Sequence, residues 1–257
     1  MRVIILAAGK GERLRPLTED RPKCLIEAHP GVAIIDLQLR SIATVPEIDS
    51  VVVVTGYRAD QVDAHLAKGT PVPVITTYNP FFDISNDMVS LWTAIRFMSE
   101  PFIVLNGDDV FAPKVMADLV AAKGNICAVI DQKPIYDTDD MKIELTDGRL
   151  TAIGKDLSLD RAQGESIGMI RFMGEVQTAM SGALERLLKT EKYRSIHWLA
   201  AIQLLIDEGE RVDYSLCEPE HWAEIDIHFD LDLVKSRLDA AQQMYELLQD
   251  LPSQARP

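Results

Sequence analysis

A glycine-rich loop close to the first residue combines small residues with basic side chains, and this combination suits a phosphate. The sequence ILAAGKGERLRPLTEDRPKCL, residues 5–25, leads from an apolar run into Gly9 and Gly11. Because glycine has no side chain, backbone N–H groups can approach a phosphate closely there. Arg13 and Lys23 follow within loop reach and supply the positive charge that a triphosphate needs. The loop therefore predicts a binding site for a small anionic ligand.

The spacing of these glycines excludes two common phosphate-binding motifs. It does not match GxxxxGK[ST], the motif of P-loop proteins, and no third glycine follows Gly9 and Gly11 to complete GxGxxG. The second apolar run ends in VTG at residues 54–56 and lacks the acidic residue that a dinucleotide-binding fold places there. An NAD-dependent enzyme is therefore the weakest interpretation.

Carboxylates occur at two distant places where extended chain is expected. Asp108 and Asp109 follow the apolar run of VLNGDDVF, and the carboxyl ends of strands are where an open α/β sheet presents its ligand site. In WAEID, Glu224 and Asp226 occupy alternate positions and therefore face the same side of an extended segment. Such residues also occur in ordinary turns and at solvated edges, so the residues alone leave both interpretations open.

Composition and charge limit the classes of protein to which the chain can belong. Its 257 residues carry a formal net charge of −14, which disfavours nucleic acid as a partner because phosphate backbones select basic surfaces. No apolar run approaches the ~18–20 residues of a membrane span, and the short first apolar stretch does not match a signal peptide. Cys24, Cys127 and Cys217 show no CxxC spacing, so we expect free thiols and a cytoplasmic location.

Alternating strands and helices are predicted in the first half of the chain. Short, continuous apolar runs indicate strands that are buried on both faces, as in a parallel sheet covered by helices. These runs are Val3–Leu6, Val51–Val54, Val72–Thr76, Phe102–Leu105 and Ile126–Ile130. Helices are predicted at about 33–44, 58–68, 86–98 and 112–123. This order predicts a Rossmann-like, doubly wound α/β sheet.

After about residue 135 the pattern becomes a mixed α+β one. DMKIELTDGRLTAIGK predicts a hairpin with its turn at Asp147 and Gly148, and ESIGMIRF predicts another strand. Helices are expected near 174–189, 196–208 and 230–249, with a strand near 211–216. No linker or repeat interrupts the chain, so we predict a single domain over 1–251 and a frayed tail at 252–257.

The motif LAAGKGERLRPLT, followed by PKCL, resembles that of the nucleotidyltransferases that make activated sugars and alcohols, LAAGxGxR[LM]xPLT and then PK. The resemblance extends with gaps to about residue 235. It implies a Rossmann-like, doubly wound mixed sheet of the nucleotide-diphospho-sugar transferase type with a C-terminal α+β elaboration. In that fold about 1–135 form the nucleotide-binding core, and about 136–251 form the acceptor-binding and C-terminal helical part.

The resemblance also implies roles for the loop residues and for the carboxylates. Arg13 and Lys23 are the expected catalytic residues, and Lys23 contacts the α-phosphate. Asp108 and Asp226 are the expected ligands of Mg²⁺, an ion that suits few protein carboxylates and several waters. The residues expected to bind the nucleotide are Leu6, Ala7, Ala8, Gly9, Lys10, Gly11, Arg13, Lys23, Asn79 and Asp108.

The stretch YNPFFDISNDMVSLWTA resembles the branch that cytidylylates phosphocholine and related phosphoalcohols or phosphonates. The residues that the resemblance places at the acceptor are Asn86, Ser90, Lys155, Glu165, Trp198 and Glu224. Asn86 equally suits a helix cap and Trp198 equally suits the core. In IHWLAAIQLL, Leu199 and Ala200 stand where phosphocholine-type members carry acids, which disfavours choline itself and leaves aminoalkylphosphonates, other phosphoalcohols and polyol phosphates.

These residues together predict a Mg²⁺-dependent nucleotidyltransferase that moves CMP from CTP to a small phosphoalcohol or phosphonate and releases pyrophosphate. A phosphomonoester has a second pKa of about 6, so its oxygen attacks without a nucleophilic side chain. Two alternatives stay open: a sugar- or cyclitol-1-phosphate nucleotidyltransferase that uses another nucleoside triphosphate, and a nucleotide-binding regulator without catalysis. The expected partner is a small phosphate or phosphonate acceptor, with neither nucleic acid nor membrane, and a homodimer is left open.

Overall fold

The computed structural model describes residues 1–190, 192 and 195–240. The predicted end of the last helix, at 241–249, and the predicted tail at 252–257 lie outside the described residues. In the described part the strands are β1 (Arg2–Ala7), β2 (Glu27–His29), β3 (Val32–Ala33), β4 (Ser50–Thr55), β5 (Val74–Tyr78), β6 (Phe102–Asn106), β7 (Asp109–Phe111), β8 (Ile126–Asp131), β9 (Lys142–Thr146), β10 (Arg149–Gly154), β11 (Gly164–Phe172), β12 (Val212–Cys217) and β13 (Trp222–Glu224).

The α-helices lie close to the positions predicted from the sequence. They are α1 (Ile34–Ala43), α2 (Ala59–Leu66), α3 (Asp87–Thr93), α4 (Pro113–Ala121), α5 (Val176–Leu188), α6 (Ala200–Asp207) and α7 (His228–Ala240). Helix α3 is shorter than the predicted 86–98 because the Ala94 N–H bonds to the Leu91 carbonyl, three residues back, and a 3₁₀ turn follows at Ile95–Phe97.

Within the described residues, one mixed sheet of nine strands runs through both halves of the chain. Its order is β5-β4-β1-β6-β11-β8-β12-β10-β9. Strands β5, β4, β1 and β6 are parallel, β11 runs antiparallel to β6 and β8, and β12 is parallel to β8. Two short antiparallel pairs, β7 with β13 and β2 with β3, lie outside this sheet. The architecture is the mixed, doubly wound α/β fold that was predicted.

Helices cover both faces of the central strands, which explains their continuous apolar sequences. In β1, Ile4 and Leu6 belong to a cluster that includes the apolar residues of α3, α5 and α6. Val3 and Ile5 belong to a cluster on the opposite face, with residues of α1, α2 and α4. Since alternate residues of a strand face opposite sides, both sides of β1 must be apolar to be buried.

The edge strand β5 departs from this pattern. It begins two residues later than the predicted run at 72–76, and its side chains Ile75 and Tyr78 are exposed. Among the described strands, only β4 lies beside it. The predicted hairpin turn, in contrast, is present: Asp147 and Gly148 both have positive φ angles, 51° and 71°, as a two-residue type I′ turn requires. In the described residues, we find no helix with the length and apolarity to cross a membrane.

Candidate active site

A cleft of about 480 Å³ opens at the carboxyl ends of β1 and β6, between the two halves of the chain. The register of the parallel strands places the glycine-rich loop, which follows β1, beside the segment that follows β6. The predicted site residues that line the cleft are Leu6, Ala8, Gly9, Gly11, Arg13, Lys23, Asn86, Ser90, Asp108, Lys155, Glu165, Trp198, Glu224 and Asp226.

Gly11 is the residue of the loop whose conformation demands glycine. Its φ of 63° lies in the left-handed region, and a Cβ atom there would lie 2.9 Å from Cβ of Lys23. The Thr18 hydroxyl donates a hydrogen bond of 2.8 Å to the Gly11 carbonyl and holds the loop closed. The loop therefore folds back so that Lys23 packs directly against Gly11.

Lys23 joins the loop to the two aspartates predicted to bind metal. Its Nζ donates to Oδ2 of Asp108 at 2.7 Å and to Oδ1 of Asp226 at 3.0 Å. Burial alone would lower the pKa of Lys23, but the negative charges of Asp108 and Asp226 outweigh it and raise the pKa above its usual value. Lys23 is therefore a permanent cation in the cleft.

Asp108, Glu224 and Asp226 form a group of carboxylates that the pairing of β7 with β13 brings together. One oxygen from each lies within 4.8 Å of the others. Desolvation within the cleft and the negative charges of Asp108 and Asp226 raise the pKa of Glu224 to about 8. Its side chain is nevertheless partly accessible to solvent. Asp109 lies behind them, fully buried, and its Oδ2 has no hydrogen-bond partner among the described residues. Burial and the charge of Asp108 raise the pKa of Asp109 well above the usual range.

Asp139, which was not predicted from the sequence, connects two predicted site residues. Its carboxylate accepts hydrogen bonds from Arg13 Nη1 at 3.2 Å and from Lys155 Nζ at 2.5 Å. Arg13 also forms an ion pair with Asp226 through its other terminal nitrogen. The sequence offered only a weak signal for Asp139, a run of acids at DTDD, which is also what a solvated loop contains.

A second wall of the cleft consists of residues near α3 and before α6. Trp198 has no exposed surface, and its indole N–H donates to Oδ1 of Asn106, at the end of β6, at 3.0 Å. Asp87 accepts from the Trp198 backbone N–H at 2.8 Å and lies 3.1 Å from Nδ1 of His197. Asn106, Asp87 and His197 line the cleft and were not predicted, although Asn106 directly precedes the carboxylates of VLNGDD.

Two predicted acceptor residues have structural partners as well. Asn86 caps α3, since its Oδ1 accepts from the Asp87 N–H at 2.8 Å. Glu165 is buried and forms an ion pair with Lys133 at 2.7 Å. Burial raises the pKa of Glu165 to about 7, against the opposing effect of Lys133.

Three residues predicted to bind the nucleotide are not brought to the surface of the cleft. Ala7 faces the apolar cluster on the other side of the sheet. Lys10 forms an ion pair with Asp83. Asn79 is fully buried and donates to the Ser90 hydroxyl at 2.9 Å. Alternation along β1 turns Ala7 away from Leu6 and Ala8, and Asn79 completes a turn inside the protein, so these side chains do not line the cleft and their contact with the nucleotide stays a prediction.

The chain belongs to the nucleotidyl transferase family, because the sequence pattern described as "Nucleotidyl transferase" matches residues 2–135. This is the family that the motif of the first loop predicted.

Two relatives of known activity match most of the chain. The "CTP:phosphoglutamine cytidylyltransferase" of Campylobacter jejuni is 27% identical over 257 residues, which cover 91% of this chain and 98% of that protein. The "Bifunctional IPC transferase and DIPP synthase" of Rubrobacter xylanophilus is 28% identical over 232 residues, 89% of this chain. The matched region is 50% of that protein, so the chain spans half the length of this relative.

Solved structures share the fold at lower identity. The inositol-1-phosphate CTP transferase from T. maritima superposes with a TM-score of 0.76 at 22% identity, covering 98% of this chain and 97% of the other. The CTP:phosphocholine cytidylyltransferase from Streptococcus pneumoniae has a TM-score of 0.75 at 19% identity, covering 92% of this chain and 98% of the other. Both confirm the α/β fold class predicted from the sequence.

Proposed function

We propose that the protein transfers CMP from CTP to a small phosphoalcohol or phosphonate and releases pyrophosphate. The observation that carries this proposal is the ion-pair group at the cleft: Lys23, next to the glycine-rich loop, contacts both Asp108 and Asp226. A cation and two carboxylates at one point suit a triphosphate that arrives with a divalent metal ion.

The proposed reaction needs alignment and charge neutralisation rather than a nucleophilic side chain. An oxygen of the acceptor phosphate forms a bond to the α-phosphorus of CTP, while the bond from that phosphorus to the oxygen bridging to the β-phosphate breaks. Lys23 and Arg13 stabilise the negative charge that develops on the α-phosphate and on the departing pyrophosphate. The walls of the cleft hold donor and acceptor together, which can lower the barrier by roughly 7–11 kcal/mol in favourable cases.

The residues at the cleft fit a magnesium ion. The grouped oxygens of Asp108, Glu224 and Asp226 are the hard ligands that this ion prefers. Asp108 and Asp226 would hold Mg²⁺, and Glu224 would lie beside the acceptor. When bound, the ion would supply charge neutralisation for the triphosphate.

The choice of CTP and of the acceptor class rests on similarity. The Campylobacter relative, matched over nearly its whole length, is named as a CTP-dependent cytidylyltransferase of a phosphorylated small molecule. The segment around α3 likewise resembles the phosphoalcohol and phosphonate branch, and its Asn86 and Ser90 line the cleft. A phosphorylated amide such as phosphoglutamine therefore joins phosphocholine, 2-aminoethylphosphonate and polyol phosphates as a candidate acceptor.

A panel of substrates tests this proposal. Pyrophosphate release is measured with Mg²⁺ for CTP, UTP, GTP, ATP and dTTP, each paired with phosphocholine, 2-aminoethylphosphonate, phosphoglutamine, glycerol phosphate, inositol phosphate and hexose 1-phosphates. Release with CTP and a small phosphoalcohol, phosphonate or phosphoamide is expected. Release only with hexose 1-phosphates would overturn the acceptor class, and nucleotide binding without release from any pair would overturn the catalytic role. Cell fractionation tests the cytoplasmic location that completes the proposal, and gel filtration decides whether the protein is a monomer or a homodimer.

A further inference from the structure

One carboxylate connects the two sides of the cleft. Asp139 Oδ2 accepts from Arg13, which belongs to the glycine-rich loop, and Oδ1 accepts from Lys155, which follows β10. The bond from Lys155 and then the charges of Lys155 and Arg13 hold the pKa of Asp139 below its usual value, so the bridge is ionic at neutral pH. Asp139 therefore joins a cation of the first half of the chain to a cation of the second.

Hydrogen bonds hold the loop that carries Asp139 in a defined conformation. Asp137 Oδ1 accepts from the backbone N–H of Asp139 at 2.7 Å and of Asp140 at 3.1 Å. Beneath the loop the fully buried ammonium of Lys142 donates to the carbonyls of Asp137, Thr138 and Asp140. Although the Asp139 side chain is 63% exposed, its backbone is thus held from two sides.

The cleft offers few cations for two phosphorylated substrates. Among its lining residues in the described part of the chain, only Arg13, Lys23 and Lys155 are lysine or arginine. Lys23 is engaged with Asp108 and Asp226, on the side of the glycine-rich loop. If that side holds the nucleotide, Lys155 is the cation left for a second phosphate, and its position relative to Arg13 decides how close the two phosphates come.

We propose that Asp139 is a positioning residue that holds Lys155 and Arg13 at one point, so that the acceptor phosphate meets the α-phosphate of the nucleotide. The bridge uses one N–H of each cation, which leaves two N–H groups of Lys155 and further guanidinium N–H groups of Arg13 to contact phosphates. Asp139 contributes alignment rather than binding, since its own negative charge repels both substrates. This role rests on the proposed nucleotidyl transfer.

If Asp139 aligns the two cations without binding a substrate, its substitution should lower kcat without raising the KM for the acceptor. In Asp139→Asn the cations lose their shared counter-charge, and kcat is expected to fall by about tenfold or more, because small misplacements of reacting groups cost that much. The KM for the acceptor is expected to stay the same or fall, because a negative charge has been removed. Asp139→Glu, which keeps the charge, is expected to recover part of kcat.

The test measures kcat and the acceptor KM of the full chain with the substrate pair of highest turnover. A double-mutant cycle combines Asp139→Asn with Lys155→Met, and the second substitution is expected to remove most of the effect of the first. Glu144→Gln, which removes a partly exposed carboxylate paired with Arg161 outside the cleft, is the control and is expected to leave kcat unchanged. Thermal unfolding of each variant reports whether the fold is intact.

The outcomes separate this role from the proposed function. A wild-type protein that transfers no nucleotide would overturn the proposed function and this role with it. An active wild type with an unchanged kcat in Asp139→Asn would overturn the role of Asp139 alone. A rise in KM without a fall in kcat, or effects of Asp139 and Lys155 that simply add, would also overturn it.

Discussion

The ammonium group of Lys23 lies 2.7 Å from Oδ2 of Asp108 and joins the glycine-rich loop to the end of β6. The same nitrogen lies 3.0 Å from Oδ1 of Asp226, which follows β13. Three parts of the chain that are distant in sequence therefore meet at the ammonium group of Lys23. Lys23 and both aspartates are largely shielded from solvent. Removing any one of the three therefore leaves an unpaired charge on the others that water can solvate only in part.

Substitution of either residue is expected to abolish most of the activity. Lys23→Ala and Asp108→Ala should each lower kcat by about 10²–10³-fold, because Lys23 stabilises negative charge on the phosphates and Asp108 would hold the metal ion that does the same. Pyrophosphate release measures kcat, and circular dichroism checks that the fold persists. Lys114→Ala, which removes a lysine paired with Asp118 on the surface of α4, should keep the wild-type rate. Near-wild-type turnover in either cleft variant would contradict the assignment of these roles.

Removal of Lys23 should also change the response to magnesium. In Lys23→Ala the group of Asp108, Glu224 and Asp226 keeps its negative charge but loses the ammonium that neutralises it. We expect a lower Tm than for the wild type at pH 8, and a larger increase of Tm when Mg²⁺ is added at constant ionic strength. Differential scanning fluorimetry measures both. Equal stabilisation of the two proteins by Mg²⁺ would argue against a metal site at these carboxylates.

Gly11 should be intolerant of a side chain for two separable reasons. Gly11→Ala places an L-residue in the left-handed region, which costs roughly 1–2 kcal/mol, and also puts Cβ 2.9 Å from Lys23. Gly31, with φ of 72°, has no atom within 4 Å of the corresponding Cβ, so Gly31→Ala carries only the first cost. We therefore expect both variants to lose stability but only Gly11→Ala to lose turnover, by about tenfold or more. The same turnover in both variants would show that the packing of Lys23 against Gly11 does not matter.

The buried Glu165 should make the protein less stable as the pH rises. Its pKa is about 7 in the folded protein, above the usual value of about 4.3 in an unfolded chain, so the folded state holds a proton that the unfolded state has lost. The free energy of unfolding should therefore decrease between about pH 4.5 and 7. Asp109 and Glu224, whose pKa values are also raised, act in the same direction.

The variant Glu165→Gln tests the contribution of Glu165 to the pH dependence of stability. The variant keeps the shape of the side chain but cannot ionise, so its Tm should decrease less than that of the wild type between pH 5 and 7. Glu144→Gln is the matched control, because Glu144 is partly exposed and its pKa is lowered by Arg161 rather than raised. Thermal unfolding at several pH values gives the slope of Tm against pH for each protein. Parallel slopes for the wild type and Glu165→Gln would contradict the prediction.

Trp198 should act through the fold rather than through direct contact with a cationic acceptor. Its ring is fully buried, and its N–H holds the Asn106 side chain. Trp198→Phe should lower stability by about 1–2 kcal/mol through the lost hydrogen bond and the smaller ring. It should change the KM for phosphocholine and for glycerol phosphate by the same factor. A larger effect on phosphocholine would instead support contact between the ring and a quaternary ammonium group.

Much of the fold could be predicted because its causes are local. The continuous apolar run of β1 requires cover on both faces, and the structure buries Val3 and Ile5 on one side and Ile4 on the other. The turn at Asp147 and Gly148 depends on two residues that tolerate positive φ angles. The glycine-rich loop is similar, since its small residues and its two cations are close in the sequence.

The tertiary structure decided which of these residues share the site. Arg13 and Asp139 are 126 positions apart. They meet because β9, which follows Asp139, pairs with β11, and β11 pairs with β6, the neighbour of β1. The pairing of β7 with β13 likewise sets Glu224 beside Asp109, and alternation along β1 turns Ala7 away from the cleft. The sequence by itself determined the chemistry of the loop and the class of the fold, because neighbouring residues specify local conformation and burial. Strand order and register decided the partners of each charge, because contacts between distant residues depend on how all the elements pack.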